Sequence, residues 1–332
     1  MASDSRDGAA FRPRVSICIP TLNGGTEFLG VLAKIARQDY TPRAELVVID
    51  SGSTDGTAEA AERAGAKMLR IDKRQFNHGK ARNLAIAASS GEILALLTQD
   101  AEPQDEHWLA ALVSAFQDPR VAGAYARQVP RPDCSPLIKW RLEQWNAGRT
   151  QRAVQELASR EEYERLAPLE RLARCAFDDV SSAVRRSAWE RFPFEERKFG
   201  EDVAWCKRVL LAGERVVFEP GAVVIHSHEL STWYEFRRIY ADHANLKELF
   251  DVHTIPTRDG LWRAFRHQRA LYLRILSELG LPFGARLRAK AQAIPYAFFE
   301  NLAQYLGARS ARKLAEGSRF YRWVDRKLRR GV

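Results

Sequence analysis

Five side chains in this 332-residue sequence stand where a carboxylate or an imidazole could do chemistry. Asp100 closes the run Leu96-Leu97-Thr98-Gln99-Asp100-Ala101-Glu102-Pro103. A carboxylate just after a buried strand is placed to hold a divalent cation, which in turn neutralises a diphosphate. A lone Asp there would equally serve as a turn former. Glu201 and Asp202, in Phe199-Gly200-Glu201-Asp202-Val203-Ala204-Trp205, open a helical pattern. The helix dipole favours carboxylates in a first turn, and an Asp facing a substrate hydroxyl can act as a general base. His226 and His228 follow in His226-Ser227-His228. Two apart on an expected strand, they share a face, which suits a metal or a phosphate as well as a pair of ordinary polar strand ends.

Three further runs could bind a nucleotide. Pro20-Thr21-Leu22-Asn23 and Asp50-Ser51-Gly52-Ser53-Thr54-Asp55 each end an apolar stretch. Glycine permits a tight turn against a ligand, and Asp50 could accept a hydrogen bond from a nucleobase imide N–H. Capping of the next helix by Ser51 to Asp55 is the simpler role of the same residues. Phe76-Asn77-His78-Gly79-Lys80-Ala81-Arg82-Asn83 opens a helix with two cations near its start. Cations beside free backbone N–H groups suit a phosphate, whereas a merely solvated basic first turn would oppose the dipole.

The elements that must position these residues are legible in the hydropathy pattern. Residues 15–20, 45–50, 66–71, 92–98 and 121–129 are short apolar runs expected as strands, with amphipathic stretches near 26–38, 55–64, 79–90 and 105–117 between them. Apolar strands separated by helices predict a wound α/β sheet, mostly parallel and buried on both faces. Ligands bind such sheets at the carboxyl ends of the strands, where the three strand-end runs fall. Residues 136–172 are charged and helical in pattern, an excursion from the sheet. Strand character returns at 177–186 and 216–228, and the pattern beyond 229 is helical, broken at Pro256, Gly280-Leu281-Pro282 and Gly307. The expected division is a flexible segment 1–14, a catalytic domain 15–250 and a basic helical region 251–332. Within the domain, 15–130 forms the nucleotide half, 131–176 the helical excursion and 177–250 the acceptor and catalytic half.

Composition narrows the function classes. The chain is 45% hydrophobic, enough for a core, which excludes a disordered protein. No stretch approaches the roughly 18 apolar residues of a membrane span, and the start MASDSRDGAAFRPR lacks the apolar core of a secretory signal. Cys18, Cys134, Cys175 and Cys206 have neither paired nor metal-type spacing, so reduced thiols in a cytoplasmic protein are expected. The net charge is +10, and residues 251–332 carry 17 Lys/Arg against 6 Asp/Glu. Such a region could meet an anionic membrane surface, an acidic partner or nucleic acid. No nucleic-acid motif accompanies the charge, so nucleic acid is not expected. Trp262, Phe265, Leu271, Leu273, Ile275 and Leu279 could form core stripes on its helices. Packing on the catalytic domain, homodimerisation and attachment to the inner leaflet all remain open.

From Val15 to about Asn245 the order and spacing of these runs resemble family 2 glycosyltransferases with a GT-A fold. The residues that carry the resemblance are VSICIPTLNG, VVIDSGSTDGT, FNHGKARNLAIAASSGEILALLTQDAEP, GEDVAW and HSH. Within the family, FNHGKARN, LTQDA, YARQVP, FDDVSSAVRRSAWERFPF and EFRRIYADHANLKEL are most similar to bacterial rhamnosyltransferases. The resemblance implies a GT-A, Rossmann-like mixed and mostly parallel sheet with a C-terminal helical extension. It implies inverting transfer of a sugar, here L-rhamnose from dTDP-L-rhamnose, to a hydroxyl of a cell-surface glycan or lipid-linked saccharide, at the inner face of the membrane. Carried over by position, Pro20, Thr21, Asn23, Asp50, Gly52, Lys80, Arg82, Thr98 and Gln99 would bind the nucleotide sugar. Asp100 and His226 would bind Mg²⁺ or Mn²⁺, and Asp202, beside Glu201, would be the base. Asp179, Trp205 and His228 would lie on the acceptor side. Thr98 departs from the family's first DxD carboxylate, which should weaken metal binding, and Asp179 stands where relatives often carry Asn. A UDP-hexose or UDP-N-acetylhexosamine donor, or a non-catalytic nucleotide-binding scaffold, would fit the same fold.

Overall fold

A computed structural model describes residues 11–40, 43–144 and 146–329; most of the expected flexible segment 1–14 lies outside them. Among the described residues nine strands form one sheet: β1 (Val15–Thr21), β2 (Ala44–Asp50), β3 (Lys67–Arg70), β4 (Ile93–Leu97), β5 (Glu102–Pro103), β6 (Val121–Val129), β7 (Ala153–Gln155), β8 (Ser181–Arg185) and β9 (Arg215–Ile225). Their order is β3-β2-β1-β4-β8-β6-β9-β5, with β7 on β9. The longest ladders, β1 with β2 and β6 with β9, are parallel. Strand β8 runs antiparallel between β4 and β6, so its leading residues, Asp178 to Val180, sit at the edge where β1, β2 and β4 end.

The helices are α1 (Gly25–Ile35), α2 (Thr57–Arg63), α3 (His78–Ala87), α4 (Trp108–Ser114), α5 (Pro136–Gln144), α6 (Arg160–Arg165), α7 (Pro168–Arg174), α8 (Arg186–Arg191) and α9 (Glu201–Leu211), then α10 (Thr232–Phe250), α11 (Arg258–Glu278), α12 (Phe283–Gly307), α13 (Ser310–Ala315) and α14 (Arg319–Leu328). Alternate strand residues face opposite layers. Ile17, Ile19, Ala95 and Leu97 pack with Phe28 of α1 and Trp108 and Leu112 of α4. Cys18, Ile49, Leu94 and Leu96 pack with Ala81 and Ile86 of α3 and Trp205 and Val209 of α9. Two buried faces explain why these strands are continuously apolar rather than alternating.

Two strands depart from the sequence expectation. β5 has two residues and β7, inside the supposed helical excursion, has three. Both are recruited by β9, which is long enough to pair beyond β6. The basic region packs as helices against the rest of the chain: Phe236 and Tyr240 of α10 bury against Ala303 of α12 and Val324 and Leu328 of α14. The approach is close, because a Cβ at Gly307 would lie 2.4 Å from the Tyr240 carbonyl oxygen. Tyr272, Ile275 and Leu276 of α11 pack on Ala293 and Ala297 of α12 and on Trp140 of α5. Of the expected core stripe, Trp262 and Leu279 stay exposed. No helix among the described residues is long and apolar enough to cross a membrane.

Candidate active site

Asp50, at the end of β2, organises the loop at the first strand edge. Its Oδ2 accepts from the backbone N–H groups of Gly52 and Ser53, both at 2.9 Å, and its Oδ1 from the hydroxyls of Thr21 and Ser53. Burial raises the carboxyl pKa, but these bonds outweigh it and hold the group below its ordinary range. The four acceptor positions of the carboxylate are thus taken, and a nucleobase imide could reach Asp50 only if a hydroxyl swings away. Gly52 turns the loop at φ 100°. Asn23, itself at φ 49°, accepts from Thr54 N–H at 2.9 Å. Gln99 bridges to the β1 loop, accepting from Leu22 N–H at 2.8 Å and donating to its carbonyl at 3.2 Å. Pro20 is half-buried at the end of β1, and Thr98 is tied through its N–H to the Val180 carbonyl at 3.0 Å.

One residue past Gln99, Asp100 meets the two histidines. Its carboxylate oxygens lie 3.7 Å from His226 Nε2 and 3.3 Å from His228 Nε2. The two Nε2 atoms are 3.0 Å apart, and the three candidate ligand atoms all lie within 4.8 Å of one another. The histidines are not on a strand, as the sequence suggested, because β9 ends at Ile225. Extended chain beyond it, held by a His226 N–H bond to the Val129 carbonyl at 2.9 Å, brings both rings to Asp100. Gln128, which the sequence did not single out, accepts at 3.0 Å from His226 Nδ1 and donates at 2.6 Å to Asp178. Arg131 donates to the Asp100 carbonyl at 2.8 Å. Burial pushes His226 down to about 4, so it is neutral and able to offer a lone pair. One carboxylate and two imidazoles make a donor set suited to a divalent cation of the first transition row.

The third cluster surrounds the start of α9. Arg82 is not an open phosphate ligand. It is buried, its Nη1 bonded to Glu201 and its Nε 3.3 Å from Asp179. A cation removed from water needs such partners: burial alone would lower its pKa, and Asp179 and Glu201 more than reverse that. Lys80 remains half-exposed on α3, and its N–H is capped by Asn77 Oδ1 at 3.1 Å. Two residues leave the acceptor side. Asp179 is buried, bonded to Ser182 Oγ at 2.7 Å, and burial, opposed by Arg82, raises it to about 6. Trp205 is fully buried, its Nε1 donating to the Phe192 carbonyl at 2.8 Å and its ring stacked on Phe194. The space for it is made by Gly123, where a Cβ would lie 2.8 Å from the indole. Its helical position after the acidic pair drew attention, whereas its size and apolar neighbours decided its place. His228 belongs with Asp100 rather than with an acceptor.

Glu201 and Asp202 therefore part company. Glu201 is buried with Arg82, which overrides burial and lowers its pKa. Asp202 is half-buried and has no ion-pair partner among the described residues. Burial first, then the charges of Glu201, Asp179 and Asp178, raise its pKa well above the ordinary range. Hydrogen bonds link the clusters, running from His226 through Gln128 to Asp178, next to Asp179, and by the ion pairs of Arg82 on to Glu201.

Comparison with known proteins bears on this arrangement. The family model "Glycosyl transferase family 2" matches residues 16–171. The O-antigen chain rhamnosyltransferase RfbN of Salmonella typhimurium is 32% identical over 68% of this chain and 70% of its own length. The O-antigen chain rhamnosyltransferase WbaN of Salmonella anatum is 29% identical over 69% and 70%. Among solved structures, S. aureus TarS 1-349 superposes with a TM-score of 0.50 at 15% identity, covering 92% of both chains. Glucosyl-3-phosphoglycerate synthase of Mycobacterium tuberculosis, solved with Mn²⁺, uridine diphosphate and glucosyl-3-phosphoglycerate, gives 0.51 at 19% identity, over 74% of this chain and 82% of that one. At these identities the structural likeness concerns the fold, which is GT-A.

Proposed function

The chain belongs to glycosyltransferase family 2, and from that premise we propose that it moves L-rhamnose from dTDP-L-rhamnose, with inversion, to a hydroxyl of a polysaccharide precursor of the cell envelope. The observation that carries the reading is the division of labour in the site. A carboxylate–imidazole cluster at Asp100 stands beside an acidic helix start in which Glu201 is neutralised by Arg82 and Asp202 is not. The rhamnose donor rests on the two Salmonella relatives.

In this reading Asp100, His226 and His228 would hold the divalent cation, and two nitrogen donors favour Mn²⁺ over Mg²⁺. When bound, the cation supplies charge neutralisation for the departing nucleotide diphosphate. Gln99, Asn23 and the Asp50 loop would shape the base and ribose pocket, and Lys80 would face the phosphates. Asp202 would take the acceptor hydroxyl proton as the oxygen forms its bond to the anomeric carbon and the carbon–oxygen bond to the diphosphate breaks on the opposite face. A single displacement inverts the centre, so no covalent enzyme intermediate is needed. Peripheral attachment to an anionic membrane through residues 251–332 would bring the enzyme to a lipid-linked acceptor.

A donor panel tests the proposal. dTDP-L-rhamnose is expected to show a higher kcat/KM than UDP-glucose and UDP-N-acetylglucosamine, in slow hydrolysis as well as in transfer. Equal or better use of either UDP-sugar would remove the rhamnose assignment and leave the family membership intact.

A further inference from the structure

An open groove of about 670 Å³ lies between α11, the end of α12, α13 and α14, outside the three clusters above. Among the described residues its lining includes Arg258, Arg312 and Lys313 and the rings of Trp262 and Phe320 and no acidic residue, although Glu316 beside it pairs with Arg312 at 3.5 Å and with Lys313 at 2.6 Å. Trp262 is 55% and Phe320 57% exposed, unusual for rings of that size. Arg309 braces the groove from within, stacked 3.6 Å from the Tyr305 ring centroid and donating to the Ile255 carbonyl at 3.0 Å. Helix α14 continues the pattern. Tyr321, Val324 and Leu328 are buried, while Phe320 and Trp323, three apart and therefore neighbours on the helix, face outward among Arg319, Arg322, Arg326 and Lys327.

We propose that this groove and the outer face of α14 dock on an anionic lipid bilayer, with the cations on headgroup phosphates and Trp262, Phe320 and Trp323 at the acyl boundary. Charge complementarity commits the face to an anionic partner, and three exposed rings beside the cations commit it to one with an apolar layer below its phosphates. The proposal deepens the membrane-attachment part of the function above and does not depend on the sugar donor.

The test is sedimentation of the full chain with vesicles of phosphatidylglycerol and phosphatidylcholine, and of phosphatidylcholine alone. Arg312→Gln/Lys313→Gln removes one exposed and one half-buried cation and should weaken partitioning onto the anionic vesicles about 30-fold at low salt. Phe320→Ser/Trp323→Ser should weaken it without changing its salt dependence. Arg312, Phe320 and Trp323 are exposed and Lys313 is half-buried with Glu316 as its ion-pair partner, so melting temperatures should stay close to the parent's and donor hydrolysis in detergent should match it. Unchanged partitioning in both variants overturns the proposal. So does a dimer, in sedimentation equilibrium without lipid, that Phe320→Ser/Trp323→Ser dissociates, or displacement of the parent from vesicles by single-stranded DNA that exceeds displacement by inorganic phosphate at the same phosphate concentration, with recovery of a DNA complex. Loss of binding with donor hydrolysis intact separates this proposal from the catalytic one.

A second inference comes from the link between the site's clusters. Asp178 Oδ1 accepts from Val180 N–H at 3.0 Å and its Oδ2 from Gln128 Nε2 at 2.6 Å. Both Asp178 oxygens accept, so the amide NH₂ of Gln128 faces Asp178 and its carbonyl faces His226 Nδ1. That carbonyl can only accept, which places the ring proton on Nδ1 and leaves the Nε2 lone pair toward Asp100. The geometry points to Gln128, oriented by Asp178, as the positioning residue that fixes the His226 tautomer for metal binding. Partners of this kind typically change metal affinity 10–100-fold.

Mn²⁺ binding to the full chain, read by electron paramagnetic resonance without nucleotide and well below the melting temperature, should weaken by that factor in Gln128→Leu; the buried partners it leaves unpaired should also lower the melting temperature by a few degrees. Gln128→Glu/Asp178→Asn, which keeps an oxygen for the Nδ1 proton and moves the donating amide to position 178, should recover most of the affinity. Imidazole ¹⁵N shifts of the metal-free parent should show His226 protonated on Nδ1. An Nε2-protonated His226 in the parent, or a Gln128→Leu variant with parental Mn²⁺ affinity, overturns the assignment.

Discussion

Asp202→Asn is expected to lower kcat by roughly 10²–10⁴-fold, the usual worth of general-base assistance, while donor Kd stays close to the parent's. The substitution keeps shape and removes basicity. Donor contacts in the proposed site lie on other elements, in the loops after β1, β2 and β4 and at Lys80 on α3. The pH profile gives a second readout. Burial and the charges of Glu201, Asp179 and Asp178 raise the Asp202 pKa. A base works only when deprotonated, so kcat should climb with pH along a limb centred above the ordinary carboxylate range. The residual rate of Asp202→Asn should be flat across that limb. A near-parental kcat would show that Asp202 is not the base. Joint loss of rate and donor binding would assign it a structural role at the start of α9.

Asp100→Ala is expected to reduce transfer more than about 100-fold, since charge neutralisation by a cation contributes several kcal/mol. Mn²⁺ binding should fall with it. The fold should survive, because the Asp100 side chain is half-buried after β4 and its ion-pair contacts are to His226 and His228 alone among the described residues. Adding dTDP to the variant should still raise its melting temperature, less than for the parent, through the base-pocket loops. Parental activity of Asp100→Ala in metal-depleted buffer resupplied with Mg²⁺ would show that the carboxylate holds no cation needed for transfer.

The sequence made the large strands and the acidic positions legible for physical reasons. β1, β2 and β4 are largely apolar on both faces, and Asn23, Asp50 and Asp100 stand at or just past their ends. Asp100 and Asp202 stood out because a carboxylate at such a junction needs a reason to be there. What stayed hidden was settled by partners distant in sequence. Arg82 looked like a phosphate ligand from its helix position, but its guanidinium meets Asp179 and Glu201 across 97 and 119 residues. Trp205 took its place from the gap at Gly123, which no local pattern announces. β5 and β7 are too short to show a period of two, and exist only because β9 offers them an edge. Gln128 carried a weak signal, a polar side chain next to Arg127 near the end of the mostly apolar strand β6, whose meaning required His226 on one side and Asp178 on the other.

The Arg82–Glu201 pair also bears on how the chain is made. Synthesis delivers α3 long before α9, so Arg82 leaves the ribosome without its carboxylate. A buried charge stripped of its partner costs on the order of 3–5 kcal/mol. α3 therefore has reason to remain loosely seated, its guanidinium in water, until Glu201 arrives. The first half of the sheet, although it holds the nucleotide loops and is contiguous in sequence, is then poorly suited to fold as an independent module. Closure of this one ion pair would couple completion of the nucleotide side to completion of the acceptor side, so that a nascent or truncated chain would not present a half-built site to its donor.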